Sequence, residues 1–305
     1  MKFEIWVLIK GMLMGAADIV PGVSGGTVAF ITGIYERLLH ALKNFLPSLF
    51  GFIKHKTPKR FLEESDCIFL VTLFSGILIS VISLAKLISF MMVQYPIPLW
   101  SGFFGLILAS IFIVARDVNK WTFSLVIALL LAGLLAWSIT QVSPASLEKN
   151  AVTIFISGVL AICAMVLPGI SGSFILVILG SYAWILEAIK EFEWSTLGLF
   201  CAGCLVGLLS IANVLSWAFD KYKSLTLSVL IGFMLGAMPK IWPWKEVLSY
   251  RESSQGELVP LTESPIMPST YELMSGADSQ VILASGCVIL SVVLVCVLSS
   301  FAKKG

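Results

Sequence analysis

Two short segments rich in proline, glycine and serine interrupt long apolar stretches of the chain. They read VPGVSGGT (Val20–Thr27) and LPGISGS (Leu167–Ser173). Proline stops a helix and glycine allows close backbone approach, so each segment predicts a break followed by the start of another helix. The free N–H groups and the positive dipole end of a helix start attract anions. The predicted phosphate- or carboxylate-binding residues are Ser24, Gly25, Gly26, Thr27, Ser171, Gly172 and Ser173, and the predicted break residues are Pro21, Gly22, Pro168 and Gly169.

The two segments form an internal repeat with an offset of 147 residues. The aligned pairs include Pro21 with Pro168, Gly25 with Gly172, Gly33 with Gly180, and Tyr35 with Tyr182. An alternative is that glycine and serine at these places only allow helices to cross closely. Packing alone requires neither the prolines nor the duplication, so the pattern favours a binding site.

The composition places these breaks in a membrane protein. Of the 305 residues, 58% are hydrophobic and 12% are charged, which excludes an ordinary soluble domain. Each of six apolar segments is long enough to cross about 30 Å of hydrocarbon as a helix. The predicted spanning helices are 67–94, 98–115, 121–141, 196–219, 224–243 and 280–301. Two further apolar regions, 5–43 and 151–190, contain the breaks and predict broken hairpins, which either dip into the membrane and return or cross it twice.

Four charged residues in or near these segments are candidates for coupling or gating. Asp18 is an acid at membrane depth, where a carboxylate is costly, so it predicts H⁺ or Na⁺ coupling, with helix capping or pairing with a base as alternatives. Glu36 and Arg37 lie at the predicted cytoplasmic mouth, where they gate the site or extend to the interface. Lys86 lies near the outer end of its helix, which favours interfacial extension over phosphate attraction.

The chain divides into two predicted halves, 1–145 and 146–305, each a hairpin followed by three helices. A hairpin returns to its starting side and three helices do not, so the second half begins on the opposite side of the membrane. The predicted fold is an all-α polytopic membrane protein with two inverted repeats. A basic segment, 44–66, follows the first hairpin, and a long acidic loop, 244–279, precedes the last helix.

The distribution of lysine and arginine predicts the orientation. With both termini in the cytoplasm, fourteen of these residues lie inside, five lie outside, and Lys86 lies within a span. The positive-inside rule therefore favours cytoplasmic termini. The first segment carries Lys2, Glu4, Lys10 and Asp18, so we expect no cleavable signal peptide.

Catalytic, metal and nucleotide motifs do not appear in the sequence. The two histidines, His40 and His55, lie in or next to the basic segment, and there is no HExxH or Walker-type motif. We therefore expect no enzyme activity, no cofactor and no metal. The net charge of +2 is too small to predict a nucleic-acid partner. The sequence leaves the oligomeric state open.

The first signature, Gly15 to Thr27 continuing to Glu36, closely resembles that of the polyprenyl-phosphate transporter family, and Leu167–Ser173 with Gly180 to Tyr182 is similar to its second signature. The resemblance covers essentially the whole chain. It implies a multi-pass protein of the bacterial cytoplasmic membrane that returns undecaprenyl phosphate, or a similar polyprenyl phosphate, from the outer to the inner leaflet. The lipid nature of the anion comes from this resemblance alone. The alternative is an ion-coupled carrier of a small soluble anion, and a lipid-modifying enzyme would need a nucleophile and a base that the sequence does not offer.

Overall fold

The computed structural model describes residues 4–20, 23–55, 61–62, 64–142, 147–252 and 258–302. The chain is mostly helical there. The first helices are α1 (Ile5–Asp18), α2 (Gly25–Ile31), α3 (Tyr35–His55), α4 (Cys67–Gln94), α5 (Pro96–Arg116) and α6 (Phe123–Gln141). They are followed by α7 (Ala151–Val166), α8 (Gly172–Ile178), α9 (Tyr182–Lys190), α10 (Trp194–Ala237) and a 3₁₀ helix (Met238–Ile241). The antiparallel strands β1 (Lys245–Glu252) and β2 (Leu258–Pro265) then precede α11 (Pro268–Ser275) and α12 (Val281–Ala302).

Several of these helices have the length and hydropathy of membrane spans. Within the described residues, four helical stretches qualify, namely α4, α5, α6 and Trp194–Ile241, with mean hydropathy between 2.1 and 2.6. The pair α8 and α9 is bent by 109°, as in a broken span or a re-entrant loop, and α7 and residues 281–297 are shorter apolar helices. The prediction of a helical, multi-pass membrane protein is confirmed.

Two of the predicted spanning helices meet at a kink in the structure. Segments 196–219 and 224–243 were predicted to be separate helices, and α10 consists of two helices that meet at Tyr222, which has non-helical dihedral angles (φ −135°, ψ 46°). The connecting residues 220–223 contain neither proline nor glycine, so a helix-breaking residue type does not explain the kink. The helix ends at Ala237 rather than at 243, because Pro239 removes a backbone donor and begins the 3₁₀ turn.

The long segment 244–279 is partly ordered into secondary structure, which the all-α prediction did not anticipate. β1 and β2 form a two-stranded antiparallel sheet whose register pairs Lys245 with Pro265 and Val247 with Glu263. The short helix α11 then ends at Ser275 and is followed by Gly276, whose φ of +66° suits glycine. We call β1 and β2 together the β-hairpin.

The two broken hairpins have matching geometry. In each, a seven-residue helix, α2 or α8, follows the break. A glycine then reverses the chain in the left-handed conformation, Gly33 with φ +72° and Gly180 with φ +69°. Residues with a Cβ rarely adopt this conformation, which explains why the repeat has glycine at both places.

The ends of each hairpin lie together. Glu4, just before α1, contacts Arg37 in α3, with 2.9 Å between carboxylate and guanidinium. Lys149, just before α7, contacts Glu193, just after α9, at 3.3 Å. Each hairpin therefore begins and ends at one end of the helix bundle.

Glycines bring the first helix of each hairpin against the following long helix. A Cβ at Gly15 in α1 would lie 2.6 Å from the carbonyl oxygen of Ile77 in α4. A Cβ at Gly207 in α10 would lie 2.6 Å from the carbonyl oxygen of Val159 in α7. Both contacts are too close for a side chain, so these helix pairs depend on glycine.

The remaining long helices pack across the two halves of the chain. Gly105 in α5 lies against Val288 in α12, and Gly232 in α10 lies against Leu129 in α6. The apolar core includes fully buried residues from the first hairpin, such as Val20 and Val23. The first hairpin break therefore lies inside the bundle rather than on its surface.

Candidate functional site

The two hairpin breaks contact each other. The Ser24 hydroxyl donates to the carbonyl oxygens of Met165 and Leu167, at 3.0 and 3.3 Å. The backbone N–H of Gly169 donates to the Thr27 hydroxyl oxygen at 3.2 Å. The repeat segments, 142 residues apart along the chain at this contact, thus form one polar junction.

The first break is closed by its own polar groups. The Asp18 carboxylate accepts a hydrogen bond from the Gly25 N–H at 2.7 Å, and the Ser24 hydroxyl accepts from the Gly26 N–H at 3.1 Å. Ser24, Gly25, Gly26 and Thr27 are all buried. The carboxylate of Asp18 therefore occupies the position at the start of α2 that an external anion would take, and it acts there as a helix cap.

Protein atoms fill the space beside the glycines at both breaks. A Cβ at Gly25 would lie 2.6 Å from an Asp18 carboxylate oxygen, and one at Gly26 would lie 2.6 Å from the Val166 carbonyl oxygen. A Cβ at Gly172 would lie 2.7 Å from the carbonyl oxygen of Ala161. Close packing alone therefore requires glycine at these three positions, independently of any ligand.

The second break differs from the first because its predicted hydroxyls are not tied to the other hairpin. The Ser171 and Ser173 hydroxyls lie 2.9 Å apart and bond each other, and Ser171 makes no side-chain capping bond to α8. The repeat mate of Asp18 is Met165, so no carboxylate from α7 closes this break.

A small cavity lies beside the second break. Its lining includes Thr140, Gly169, Ile170, Ser171, Phe174 and Lys240. The lining is mostly apolar and includes two hydroxyl residues and one lysine, which are residue types that bind an anion with an apolar remainder, and in this conformation the cavity is smaller than a phosphate group.

Lys240 is the site residue that sequence reasoning missed. It lies in the 3₁₀ helix after α10, with its side chain 19% exposed, and its Nζ is 5.3 Å from the centre of the Phe174 ring. By sequence it is one of the five lysines and arginines predicted to lie outside, and it is 69 positions from Ser171 along the chain. Its only local signal is a cation inside an apolar run flanked by Pro239 and Trp242.

Of the predicted break residues, Pro21 and Gly22 lie outside the described residues. Pro168 follows Leu167, whose extended backbone (φ −72°, ψ 129°) is typical of a residue before proline. Gly169 has φ +89°, and a Cβ there would lie 2.9 Å from Met234 Cα. Both the backbone angle and the close approach explain the glycine.

Arg37, a predicted gating residue, joins three segments at one end of the bundle. Its guanidinium donates to the Asp66 carboxylate at 2.6 and 3.1 Å and to that of Glu4 at 2.9 and 3.2 Å. The same group lies 4.3 Å from the centre of the Phe69 ring. The two carboxylates and the ring hold the planar group firmly, so Arg37 ties α3 to the starts of α1 and α4.

The other two predicted gating residues have different surroundings. Glu36 pairs with Lys223, 2.7 Å away, next to the break in α10. Lys86 is exposed on α4. No group of three or more His, Cys, Asp or Glu side chains that could hold a metal ion occurs among the residues that the structure describes.

Known proteins provide an independent comparison. A protein from Vibrio cholerae serotype O1 named polyprenyl-phosphate transporter is 46% identical over 296 residues, covering 97% of this chain and 96% of that protein. A Staphylococcus aureus protein of the same name is 29% identical over 268 residues, covering 78% of this chain and 86% of its own. No solved structure matches the chain. The family model described as VCA0040-like, undecaprenyl phosphate translocase-like, matches residues 14–259. The resemblance noted in the sequence is thereby confirmed, and the chain belongs to this family.

Proposed function

We propose that this chain carries a polyprenyl phosphate, such as undecaprenyl phosphate, from the outer to the inner leaflet of a bacterial cytoplasmic membrane. In the inner leaflet the lipid phosphate is used again for the synthesis of cell-envelope glycans such as peptidoglycan. Family membership and the names of the two relatives support the substrate class. The observation that carries the proposal is the junction of the two hairpin breaks beside a cavity lined by Ser171 and Lys240. The lipid is moved without chemical change.

The physical task of such a flippase is to move one phosphate across hydrocarbon. An unpaired charge is very costly there, whereas the apolar prenyl tail is soluble in the hydrocarbon of the bilayer. A site inside the helix bundle holds the phosphate among polar groups while the tail stays in the bilayer through a lateral opening. Only the headgroup then needs a protein environment.

We infer that the two halves are inverted repeats. Three observations support this: each hairpin returns to its starting end, an odd number of predicted spans follows the first hairpin, and glycine contacts at Gly15 and Gly207 recur in equivalent helix pairs. The hairpins are then re-entrant, one from each side of the membrane.

The orientation follows from the charges. Fourteen lysines and arginines on one side against five on the other support cytoplasmic termini, with Arg37 at the cytoplasmic end and the β-hairpin outside. The outer leaflet is therefore the side from which Lys240 and Ser171 receive the phosphate.

The proposed phosphate contacts are divided between the two breaks. One part consists of Ser171, Gly172 and Ser173 with Lys240, and of these Ser171 and Lys240 line the small cavity. The segment Ser24–Thr27 is the counterpart that becomes available when Asp18 leaves the start of α2. The two half-sites are therefore chemically unequal, and the coupled ion gradient sets the direction of net transport.

Asp18 then couples the two breaks to an ion gradient. Protonation or Na⁺ binding neutralises its carboxylate and weakens the bond to the Gly25 N–H. The freed N–H is then available to the phosphate, while the charged carboxylate repels it. Coupling to H⁺ or Na⁺ thus follows from competition between two anions for one helix start.

Leaflet-resolved transport in vesicles tests the function. Vesicles containing only this protein and undecaprenyl phosphate should show headgroup movement above that of protein-free vesicles, with the lipid recovered unchanged. A parallel assay with trapped inorganic phosphate tests the soluble-anion carrier. Movement of inorganic phosphate without movement of the lipid would overturn the proposal.

A further inference from the structure

Two lysines at the β-hairpin end of the bundle share one carboxylate. Lys240 Nζ lies 3.6 Å and Lys245 Nζ 3.4 Å from the same Glu263 oxygen. The side chains of Lys240, Lys245 and Glu263 are 19%, 7% and 20% exposed, so all three are largely removed from water. We call Lys240, Lys245 and Glu263 the two-lysine cluster.

The two-lysine cluster joins three parts of the fold. Lys245 comes from β1 and Glu263 from β2, while Lys240 follows α10. The Lys245 Nζ lies 3.5 Å from the centre of the Trp100 ring in α5. Aromatic faces attract cations most strongly where water is excluded, so the ring helps to keep a charge in this position.

The charges of the two-lysine cluster do not balance. Two ammonium groups face one carboxylate, which leaves an excess of one positive charge in a poorly hydrated place. Buried charges are costly unless they are paired, so the cluster favours an additional or a more highly charged anion. A phosphate monoester carries a charge of roughly −1.5 to −2 at pH 7, which matches two lysines better than one carboxylate does.

Lys240 also belongs to the cavity beside the second hairpin break. Its Nζ lies over the Phe174 ring at 5.3 Å, and the same residue lines the cavity with Ser171. An anion in this cavity and the Glu263 carboxylate therefore compete for one ammonium group. If both stayed, the carboxylate and the phosphate would repel each other at short range.

We propose that Lys240 and Lys245 form a binding site for a phosphate monoester, in which Glu263 is the resident anion that the incoming phosphate displaces. This inference rests on the proposed function and deepens it, because it assigns the outer-side contact of the substrate. A phosphate that takes the place of Glu263 contacts Lys240 in the 3₁₀ helix and Lys245 in β1, so it replaces the ion pairs that connect the β-hairpin to the end of α10.

Equilibrium binding to the purified full-length chain in detergent tests the site, with farnesyl phosphate and inorganic phosphate as probes. Lys240→Gln removes one charge-assisted contact and should weaken farnesyl phosphate binding about tenfold or more. Lys240→Arg keeps the charge and should bind within about threefold of wild type. Glu263→Gln removes the competing carboxylate and should bind about tenfold more tightly. Lys149→Gln is the matched control, since Lys149 pairs with Glu193 in a separate ion pair, and it should bind as wild type does.

The two probes distinguish the sources of the phosphate. Binding of farnesyl phosphate alone assigns a lipid headgroup as ligand, and equal binding of both probes assigns free phosphate to the same site. Wild-type affinity in both Lys240→Gln and Glu263→Gln overturns the site. The Lys240 pair of variants decides the question even if Glu263→Gln does not fold. If wild-type vesicles move the lipid while these variants bind normally, only this inference fails; if wild type neither binds farnesyl phosphate nor moves the lipid, the proposed function fails as well.

Discussion

Replacing Asp18 by asparagine separates its two proposed roles, helix cap and ion-coupling group. The carboxylate accepts the Gly25 N–H at 2.7 Å at the start of α2. Asparagine has nearly the same shape, carries no charge and is as good a cap as aspartate. The substitution therefore removes the titratable group while keeping the hydrogen bond.

The structure sets the size of the expected stability change. A hydrogen bond to a charged group contributes about 1.5–3 kcal/mol and one between neutral groups about 0.5–1.5 kcal/mol, so Asp18→Asn weakens this bond by about 1 kcal/mol. It also removes the cost of burying a carboxylate, so the asparagine variant should be no less stable than wild type. Asp18→Ala also leaves the Gly25 N–H without this partner inside the bundle. An unsatisfied buried donor costs about 1–3 kcal/mol, so the alanine variant should be the less stable of the two.

Transport in vesicles with and without imposed H⁺ and Na⁺ gradients measures the coupling role. We expect Asp18→Asn to bind the lipid phosphate at least as well as wild type, because the competing charge at the start of α2 is gone. We also expect its transport to be independent of the gradient that drives wild type. Thermal unfolding of the same preparations in detergent checks the order of stability.

Two results would refute this reasoning. Wild-type gradient dependence in Asp18→Asn would remove Asp18 from coupling and leave only the cap. Equal stability of the asparagine and alanine variants would show that the bond to Gly25 contributes little, and the competition between carboxylate and phosphate would then lose its structural basis.

Three further predictions concern packing, the Arg37 contacts and pH. Gly172→Ala should lower the free energy of unfolding by about 1–3 kcal/mol, because its Cβ would lie 2.7 Å from a backbone oxygen. Gly51→Ala is the control and should not destabilise the protein, since no atom lies within 4 Å of its Cβ, and thermal unfolding compares the two variants. Arg37→Lys keeps the charge but loses the planar contacts to two carboxylates, so it should lower the free energy of unfolding by about 1 kcal/mol or less. Salt screens exposed charges, so a decrease in stability that is as large in about 1 M salt as at low salt would contradict this prediction. Burial lowers the pKa of Lys245 to about 8. The nearby charge of Lys240 also lowers this pKa, whereas the charge of Glu263 raises it. Since that pKa lies below the unfolded value of about 10.4, the cost of burying the charge is fully present below pH 8 and is relieved between pH 8 and about 10.4. The free energy of unfolding of wild type should therefore rise with pH across this window relative to Lys245→Gln, as chemical denaturation would measure.

The sequence alone was sufficient for the class of the protein and for the location of the breaks. Long apolar segments with few charges form membrane helices wherever they occur, so hydropathy predicts them without knowledge of their neighbours. Proline and glycine act on the local backbone, which is why the interruptions and the left-handed turns at Gly33 and Gly180 follow from residue type and repeat position. The family also followed from the two motifs, and the comparisons confirm it.

Features that depend on contacts between distant segments could not be predicted. Whether Ser24 and Thr27 point to an open cavity or to the second break depends on how the hairpins pack, and the hydroxyls bond to the other hairpin. The interruption between residues 219 and 224 was predicted, but its form as a kink at Tyr222 rather than a loop was not, because charged residues in a connecting segment allow either.

The cationic part of the site belongs only to the tertiary structure. Lys245 and Glu263 lie in a segment whose composition indicates only a charged external loop, and Lys240 lies near the end of the predicted helix 224–243. Their meeting next to the cavity depends on the register of the β-hairpin and on the end of α10 at Ala237. The strength of a charge contact depends on distance and on the exclusion of water, and both are properties of the folded protein rather than of residue type. Local backbone preferences therefore determined where the chain breaks, and packing decided which of the two breaks faces a cation.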